Sequence, residues 1–181
     1  MSSLKIIKGS CADQEVDVVV NSANKNLVFG SGICGVIFEK AGITEMNKEC
    51  QKINTPLEVG QAVITSSCQM TNCKNIIHVT GPDFRYEESS NEELYMAYYN
   101  SLKLAKDNDL HSISFPLISA GIYAGKIENP ALNSAKMCIE AYNDFVSKYE
   151  DYDIDLILCP FTKESYEAIK DLKLKEKRKI K

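Results

Sequence analysis

Two glycine-rich turns and one pair of asparagines carry the residue types able to do chemistry in this chain. Gly30-Ser31-Gly32-Ile33-Cys34-Gly35 has the spacing G-x-G-x-x-G and opens a helical pattern. Successive backbone N–H groups in such a turn, with the positive end of a helix behind them, favour a phosphate. The dinucleotide fingerprint wants these glycines directly after a strand and an acid roughly 20 residues on, at the end of the next strand. Here nine residues separate Val20 from Gly30, and Glu49 falls in the polar, helix-like stretch Glu45 to Lys52. That spacing argues against a dehydrogenase. Gly121-Ile122-Tyr123-Ala124-Gly125-Lys126 approaches a phosphate loop but is one residue short. Ile127 stands where a Ser or Thr would bind magnesium, which excludes a nucleoside-triphosphatase. Ser119-Ala120-Gly121-Ile122-Tyr123 still follows a strand and offers backbone N–H groups to a diphosphate. Asn21-Ser22-Ala23-Asn24 ends an apolar strand. Two amides three residues apart donate and accept at once, which suits sugar hydroxyls. The alternative is that they satisfy backbone groups of the turn.

Seven cysteines, an odd number, and no export signal make reduced thiols the expectation. Cys68-x4-Cys73 with His78 fits no zinc spacing, so structural thiols and no metal are expected. His78 lies in an apolar strand, where it packs or bonds backbone. His111 precedes a strand in a polar turn and is expected on the surface.

The elements that position these residues alternate. Leu4 to Ile7, Asp17 to Asn21, Gln61 to Thr65, Ile76 to Thr80, Ile113 to Ile118 and Ile154 to Cys159 read as strands. A helix runs from Val36 to Ala41 after the glycine loop. In Glu92 to Lys106, Leu94, Tyr98, Leu102 and Ala105 share one helical face. Asn129-Pro130 reads as an N-cap and first helical proline before Ala135, Cys138, Ile139, Tyr142, Phe145, Val146 and Tyr149. Thr162 caps a final helix with Tyr166, Ile169 and Leu172. Near-continuous apolar strands alternating with helices predict an α/β fold with a mixed sheet covered on both faces. Ligands in such folds sit beyond the carboxyl ends of the strands, here the loops after residues 20, 80, 118 and 159.

In order and spacing, Val16-Asp17-Val18-Val19-Val20, the two asparagines, the Gly30–Gly35 loop, Ile77-His78-Val79-Thr80-Gly81-Pro82, and Phe115-Pro116 before Ser119–Tyr123 closely resemble a macrodomain of the MacroD-like or viral branch. The resemblance covers about residues 4 to 170. It implies a three-layer α/β/α fold with a central mixed, largely parallel sheet, and ADP-ribose as ligand. By position, Gly30, Ser31, Gly32, Ile33, Cys34 and Gly35 lie along the diphosphate and distal ribose. Ser119, Ala120, Gly121, Ile122 and Tyr123 close the other side. Asn24 hydrogen-bonds the distal ribose and is the expected catalytic residue, while Asn21 supports the loop. Phe161, after the last strand, either stacks on adenine or packs in the core.

Two departures from the family pattern bear on function. Gly9-Ser10-Cys11 stands where the family commonly has Gly-Asp-Ile, whose aspartate accepts from the adenine amino group. Ser10 accepts without charge, and Asp13 is a nearby substitute. Cys34 stands where MacroD-like hydrolases have an aspartate that orients or activates water. A thiol near its ordinary pKa is mostly neutral at pH 7, although a helix N-terminus lowers it. Similar viral loops lack this aspartate and are still associated with hydrolysis, the substrate's own phosphate helping to position water beside the equivalent of Asn24.

With 181 residues and ordinary apolar (44%) and charged (25%) fractions, the chain is expected to form one globular domain over residues 1–172. The segment 173–181 holds six basic residues and one acid, which leaves 15 basic against 24 acidic residues elsewhere, a net charge of −9. An acidic body speaks against general nucleic-acid binding, although the basic tail is a place where RNA or an acidic partner could touch. No apolar run is long enough to span a membrane and no signal segment opens the chain, so an intracellular, cytoplasmic location is expected. The readings carried forward are an ADP-ribosyl-ester hydrolase acting on ADP-ribosylated Asp or Glu of a protein or on O-acetyl-ADP-ribose, needing no cofactor, and a non-catalytic reader of ADP-ribose. A binder of poly(A) or RNA is a third.

Overall fold

The computed structural model describes residues 1–172, and the basic tail 173–181 lies outside the described residues. In chain order the elements are β1 (Ser3–Ile6), a 3-10 turn (Cys11–Asp13), β2 (Val18–Ser22), α1 (Gly32–Ala41), α2 (Ile43–Gln51), β3 (Ala62–Ser66), β4 (Asn75–Val79), α3 (Asn91–Asp107), β5 (Ser112–Pro116), a 3-10 turn (Ile122–Ala124), α4 (Pro130–Lys148), β6 (Asp155–Cys159) and α5 (Lys163–Ile169).

The apolar strands explain the layers. Side chains alternate across a strand, so Val18 and Val20 join the core under α3 and α4. Val19 joins the opposite core with Ile37, Phe38 and Met46 of α1 and α2. Ile76 and Ile77 divide between the two cores in the same way. Both faces are therefore buried, and the strands read as continuous apolar runs rather than alternating ones. The sheet order is β1-β6-β5-β2-β4-β3. Only the β3–β4 pair is antiparallel. This is the expected three-layer α/β/α arrangement with a mixed, largely parallel sheet. Five parallel strands place their carboxyl ends, and the loops singled out in the sequence, along one edge.

Helix ends follow their capping chemistry, with one correction. Ser90 accepts from Glu93 N–H at 3.3 Å while the Glu93 carboxylate accepts from Ser90 N–H at 3.0 Å, a reciprocal box that starts α3 one residue before the sequence reading. Thr162 accepts from Ser165 N–H at 3.0 Å, as expected. Asn129 precedes Pro130 at the start of α4, but its side chain makes no capping bond. Its backbone is left-handed (φ 51°, ψ 63°), and a side-chain cap needs the extended region. The residue before a proline is pushed out of the helical region, and asparagine tolerates the left-handed one. Among the described residues no helix is long and apolar enough to cross a membrane.

Ser90→Ala removes one half of the α3 box. A stability loss of about 1 kcal/mol is expected. Thermal unfolding should show this as a drop of roughly 2–4 °C in Tm.

Candidate functional site

The first wall of the site is the connection between β2 and α1. Asn24 closes it: its amide donates to Val28 O at 2.8 Å, and its carbonyl accepts from Val28 N–H at 3.0 Å. Leu27, left-handed at φ 53°, drives its side chain into the core and so anchors the turn. Val28 and Phe29 beside it stay exposed. Gly35 explains why the loop lies so close to α1, because a Cβ there would sit 2.6 Å from Gly30 O. Gly32 has φ +62°, a conformation that disfavours any other residue. Ser31, at the N-cap of α1, makes no side-chain cap bond. The first N–H groups of α1 therefore keep their hydrogen-bonding capacity for a ligand at the positive end of the helix.

Behind this wall the side chains are buried and polar. Asn21 is fully buried, its Nδ2 3.1 Å from His78 Nδ1 and 3.8 Å from Cys34 Sγ. His78 Nε2 lies 3.0 Å from Thr65 Oγ1. His78 thus packs in the core, one of the two expectations, and bonds two side chains rather than backbone. The reason is register: Asn21 pairs with His78 across β2 and β4, which points both toward α1. Burial pushes the His78 imidazole down to about 4, so it is neutral at pH 7. Cys34 is only 5% exposed and donates to Val28 O at 3.5 Å. Burial raises its pKa, overriding the lowering expected from the helix N-terminus. The Cys34 thiol and the Asn21 amide therefore support the wall from behind, and neither side chain faces the cleft.

The second wall, Ser119–Tyr123, is held from below by groups that the sequence reading missed. Tyr98 accepts from Ile118 N–H at 3.0 Å and lies 2.6 Å from Ser134 Oγ, which donates to Ile118 O. All three residues are buried. Ser119 is left-handed (φ 58°), and its hydroxyl donates to Pro82 O at 2.6 Å, so its side chain is tied inward. Gly121 has open space where a Cβ would stand, and Ile122 is 67% exposed at the rim. Tyr123 O accepts from Phe84 N–H at 2.8 Å. The Arg85 guanidinium lies 5.4 Å from the centre of the Tyr123 ring and pairs with Asp83 through two bonds of 2.8 and 2.6 Å. That pairing holds the Asp83 carboxyl below its usual range. Tyr98 reads as a core position of its helix, and only its pairing with Ser134 across α3 and α4 reveals a role at the loop.

The third part of the rim joins β1 to β6. The ladder continues past both strands through Ile7 N–H to Leu158 O and Gly9 N–H to Pro160 O, each 3.0 Å. This sets Gly9 against Pro160, with Ser10 and Phe161 the next residues of the two segments. Phe161 is 74% exposed and is not a core residue. Ser10 Oγ accepts from Ala12 N–H at 3.2 Å and caps the Cys11–Asp13 turn. Cys11 points the other way, buried, donating to Val20 O at 3.5 Å, with its pKa raised well above the ordinary value by burial. Its side chain cannot touch a ligand in the cleft. Asp13 forms an ion pair with Lys40 at 2.9 Å on the α1 side. His111 lies at the opposite, amino-terminal end of β5, half-exposed and 3.0 Å from Asp109 Oδ1. Among the described residues no group of three His, Cys, Asp or Glu side chains could hold a metal ion.

One sheet edge thus presents two backbone N–H turns, an uncapped helix N-terminus, an asparagine amide and an exposed aromatic ring. These suit an extended ligand with an anionic centre, a sugar and a flat base. The Macro domain family profile matches residues 20–132. An uncharacterised protein of Fusobacterium nucleatum is 38% identical over 172 residues, 93% of each chain. An O-acetyl-ADP-ribose deacetylase of Escherichia fergusonii is 35% identical over 152 residues, 82% of each chain. The Oceanobacillus iheyensis macrodomain, solved with ADP, superposes with a TM-score of 0.83 at 30% identity, covering 98% of this chain and 93% of that one. The fold is that of the α/β/α macro domains, and the chain belongs to the macro domain family.

Buried, neutral His78 makes stability depend on pH. Its folded pKa lies below the unfolded value, so the unfolded chain takes the proton first as pH falls. Its contribution is complete above about pH 6.5 and is lost progressively toward pH 4, by about 3 kcal/mol. Urea unfolding at pH 7.5 and 4.5 should show a smaller pH difference in His78→Gln than in the wild type.

Proposed function

We propose that the cleft binds ADP-ribose and that the protein hydrolyses ADP-ribose from an ester, either on an Asp or Glu side chain of a target protein or in O-acetyl-ADP-ribose. The observation that carries this reading is the meeting of the uncapped α1 N-terminus with the Ser119–Tyr123 turn on one sheet edge. In this reading the diphosphate lies between the two turns, where backbone N–H groups and the helix dipole balance its charge. Phe161 stacks on the adenine beside Ser10. Asn24 spends one amide N–H and one carbonyl lone pair on Val28, and the remaining N–H and lone pair reach the distal ribose. A water held at that ribose attacks the ester, whose cleavage releases the carboxylic acid and leaves ADP-ribose. Positioning and oriented dipoles supply the rate, since the buried neutral thiol of Cys34 is neither base nor nucleophile there. The O-acetyl-ADP-ribose deacetylase named among the relatives supports this reaction class.

A second reading rests on Cys34 itself. With a thiol tied to Val28 O where the related hydrolases carry an acid, the cleft is equally built for a non-catalytic reader of ADP-ribose.

Binding and turnover separate these readings. Calorimetric titration with ADP-ribose should show loss of affinity in Gly32→Glu, whose carboxylate would occupy the phosphate space. Phe161→Ala should weaken binding by roughly 5- to 150-fold if its ring stacks on the base. Unchanged affinity in both variants would sink the cleft assignment. A target mono-ADP-ribosylated on Asp or Glu, and O-acetyl-ADP-ribose, should lose their ester with the wild type and not with Asn24→Ala. Retained ester with ADP-ribose still bound would establish the reader.

A further inference from the structure

A single run of hydrogen bonds crosses the molecule from β3 to the loop that carries Asn24. Thr65 Oγ1 donates to Ser66 O at 2.9 Å, which spends its only proton. His78 Nε2, 3.0 Å away, is then the donor to Thr65, and the neutral ring keeps Nδ1 as an acceptor. Asn21 Nδ2 fills that acceptor at 3.1 Å and turns its other N–H to Cys34 Sγ at 3.8 Å. Cys34 donates onward to Val28 O at 3.5 Å. Val28 O is also the acceptor for Asn24 Nδ2. The donors diverge from Asn21: its amide donates to His78, which donates on to Thr65, and to Cys34, which donates on to Val28 O; the members from Thr65 to Cys34 are buried.

The placement of this run is unusual for a core. Elsewhere the α1-facing positions of β2 and β4 are apolar, as at Val19 and Ile76. The polar pair Asn21–His78 occupies the last such positions before the cleft. Burying an amide and an imidazole there costs free energy that apolar side chains would not. What the polar groups supply is direction, because each bond fixes which end of the next group turns toward the loop.

We infer that His78 is a positioning residue for the site: through Asn21 and Cys34 it fixes Val28 O, and with it the orientation of the Asn24 side chain toward the ribose. This rests on the reading of Asn24 as the ribose-binding group. His78 does not touch the ligand. It acts by presenting Nδ1 as an acceptor, which compels Asn21 to offer Nδ2 and leaves an N–H for Cys34. An aromatic ring of similar size without nitrogen would fill the space but leave the Asn21 amide undirected. A glutamine, which accepts with one atom and donates with another, keeps the polarity of the run.

The test is the affinity for ADP-ribose of Asn24→Ala, His78→Phe, His78→Gln and Thr65→Val, and of the Asn24→Ala/His78→Phe pair, with folding checked by circular dichroism. Asn24→Ala is expected to weaken binding. His78→Phe and Thr65→Val should each weaken it by about 3- to 10-fold, as expected for one lost directional bond. His78→Gln should stay within about twofold of wild type, and His78→Phe should add nothing once Asn24 is alanine. Unchanged affinity in Asn24→Ala would overturn the reading of that residue and this inference with it. Weakened binding in Asn24→Ala beside wild-type affinity in His78→Phe would overturn the relay alone. So would full additivity of the two, since His78 would then act on the site by another route. Should His78→Phe fail to fold, wild-type affinity in Thr65→Val overturns the inference and a loss there supports it.

Discussion

The close approach of α1 to its own preceding loop is the constraint on which the site depends. A side chain at Gly35 would meet Gly30 O at 2.6 Å, so the loop can lie against the first helical turn only if residue 35 has no Cβ. That contact brings Asn24, Gly30 and Cys34 together, since a Cβ on Gly30 would stand 3.4 Å from Asn24 Nδ2 and 3.6 Å from Cys34 Sγ. With Ser31 making no side-chain cap bond, the first N–H groups of α1 are not consumed by a side-chain cap. A phosphate placed there meets donors already fixed by steric contact. Little conformational entropy then remains to be lost on binding.

Packing decides what Cys34 can do. A cysteine at a helix N-terminus is a candidate low-pKa nucleophile. Here the same side chain lies in the α1-side core with Ile37, Phe38 and Met46, and burial outweighs the dipole. The thiol becomes a weak donor holding Val28 O. In the proposed reading the chemistry of the cleft falls to oriented backbone groups and to Asn24 rather than to an ionised side chain. Such a site works by pre-organisation, which places high demands on the residues behind it.

Those residues come from distant parts of the chain. Tyr98 of α3 and Ser134 of α4 saturate the backbone of Ile118, which sets the take-off of the second wall. The β1–β6 ladder, extended beyond both strands, brings Gly9 to Pro160 across about 150 residues of sequence. Each wall is thus a short irregular segment fixed by a regular element beneath it, a common way for a rigid scaffold to carry binding loops.

Much of this architecture was legible in the residues alone. Continuous apolar strands such as Val18-Val19-Val20 require burial on both faces, and burial on both faces requires helices above and below the sheet. The glycine spacing at 30–35 and the asparagine pair at 21–24 are local backbone and donor chemistry, so they announced the first wall and its order along the chain. Two things depended on tertiary structure. Strand register turned Asn21 and His78 toward one another and toward α1, so that two polar residues became a buried support. Burial raised the pKa of Cys34 and so disfavours its thiolate. The left-handed turn at Asn129, which prevents the expected cap, is by contrast a local effect of the proline that follows it. The sequence by itself determined which groups were available and which elements would carry them, because those follow from period and local geometry. Which groups face solvent, which face each other and what charge they bear was decided only by the packed structure, because desolvation and direction exist only between elements brought into contact.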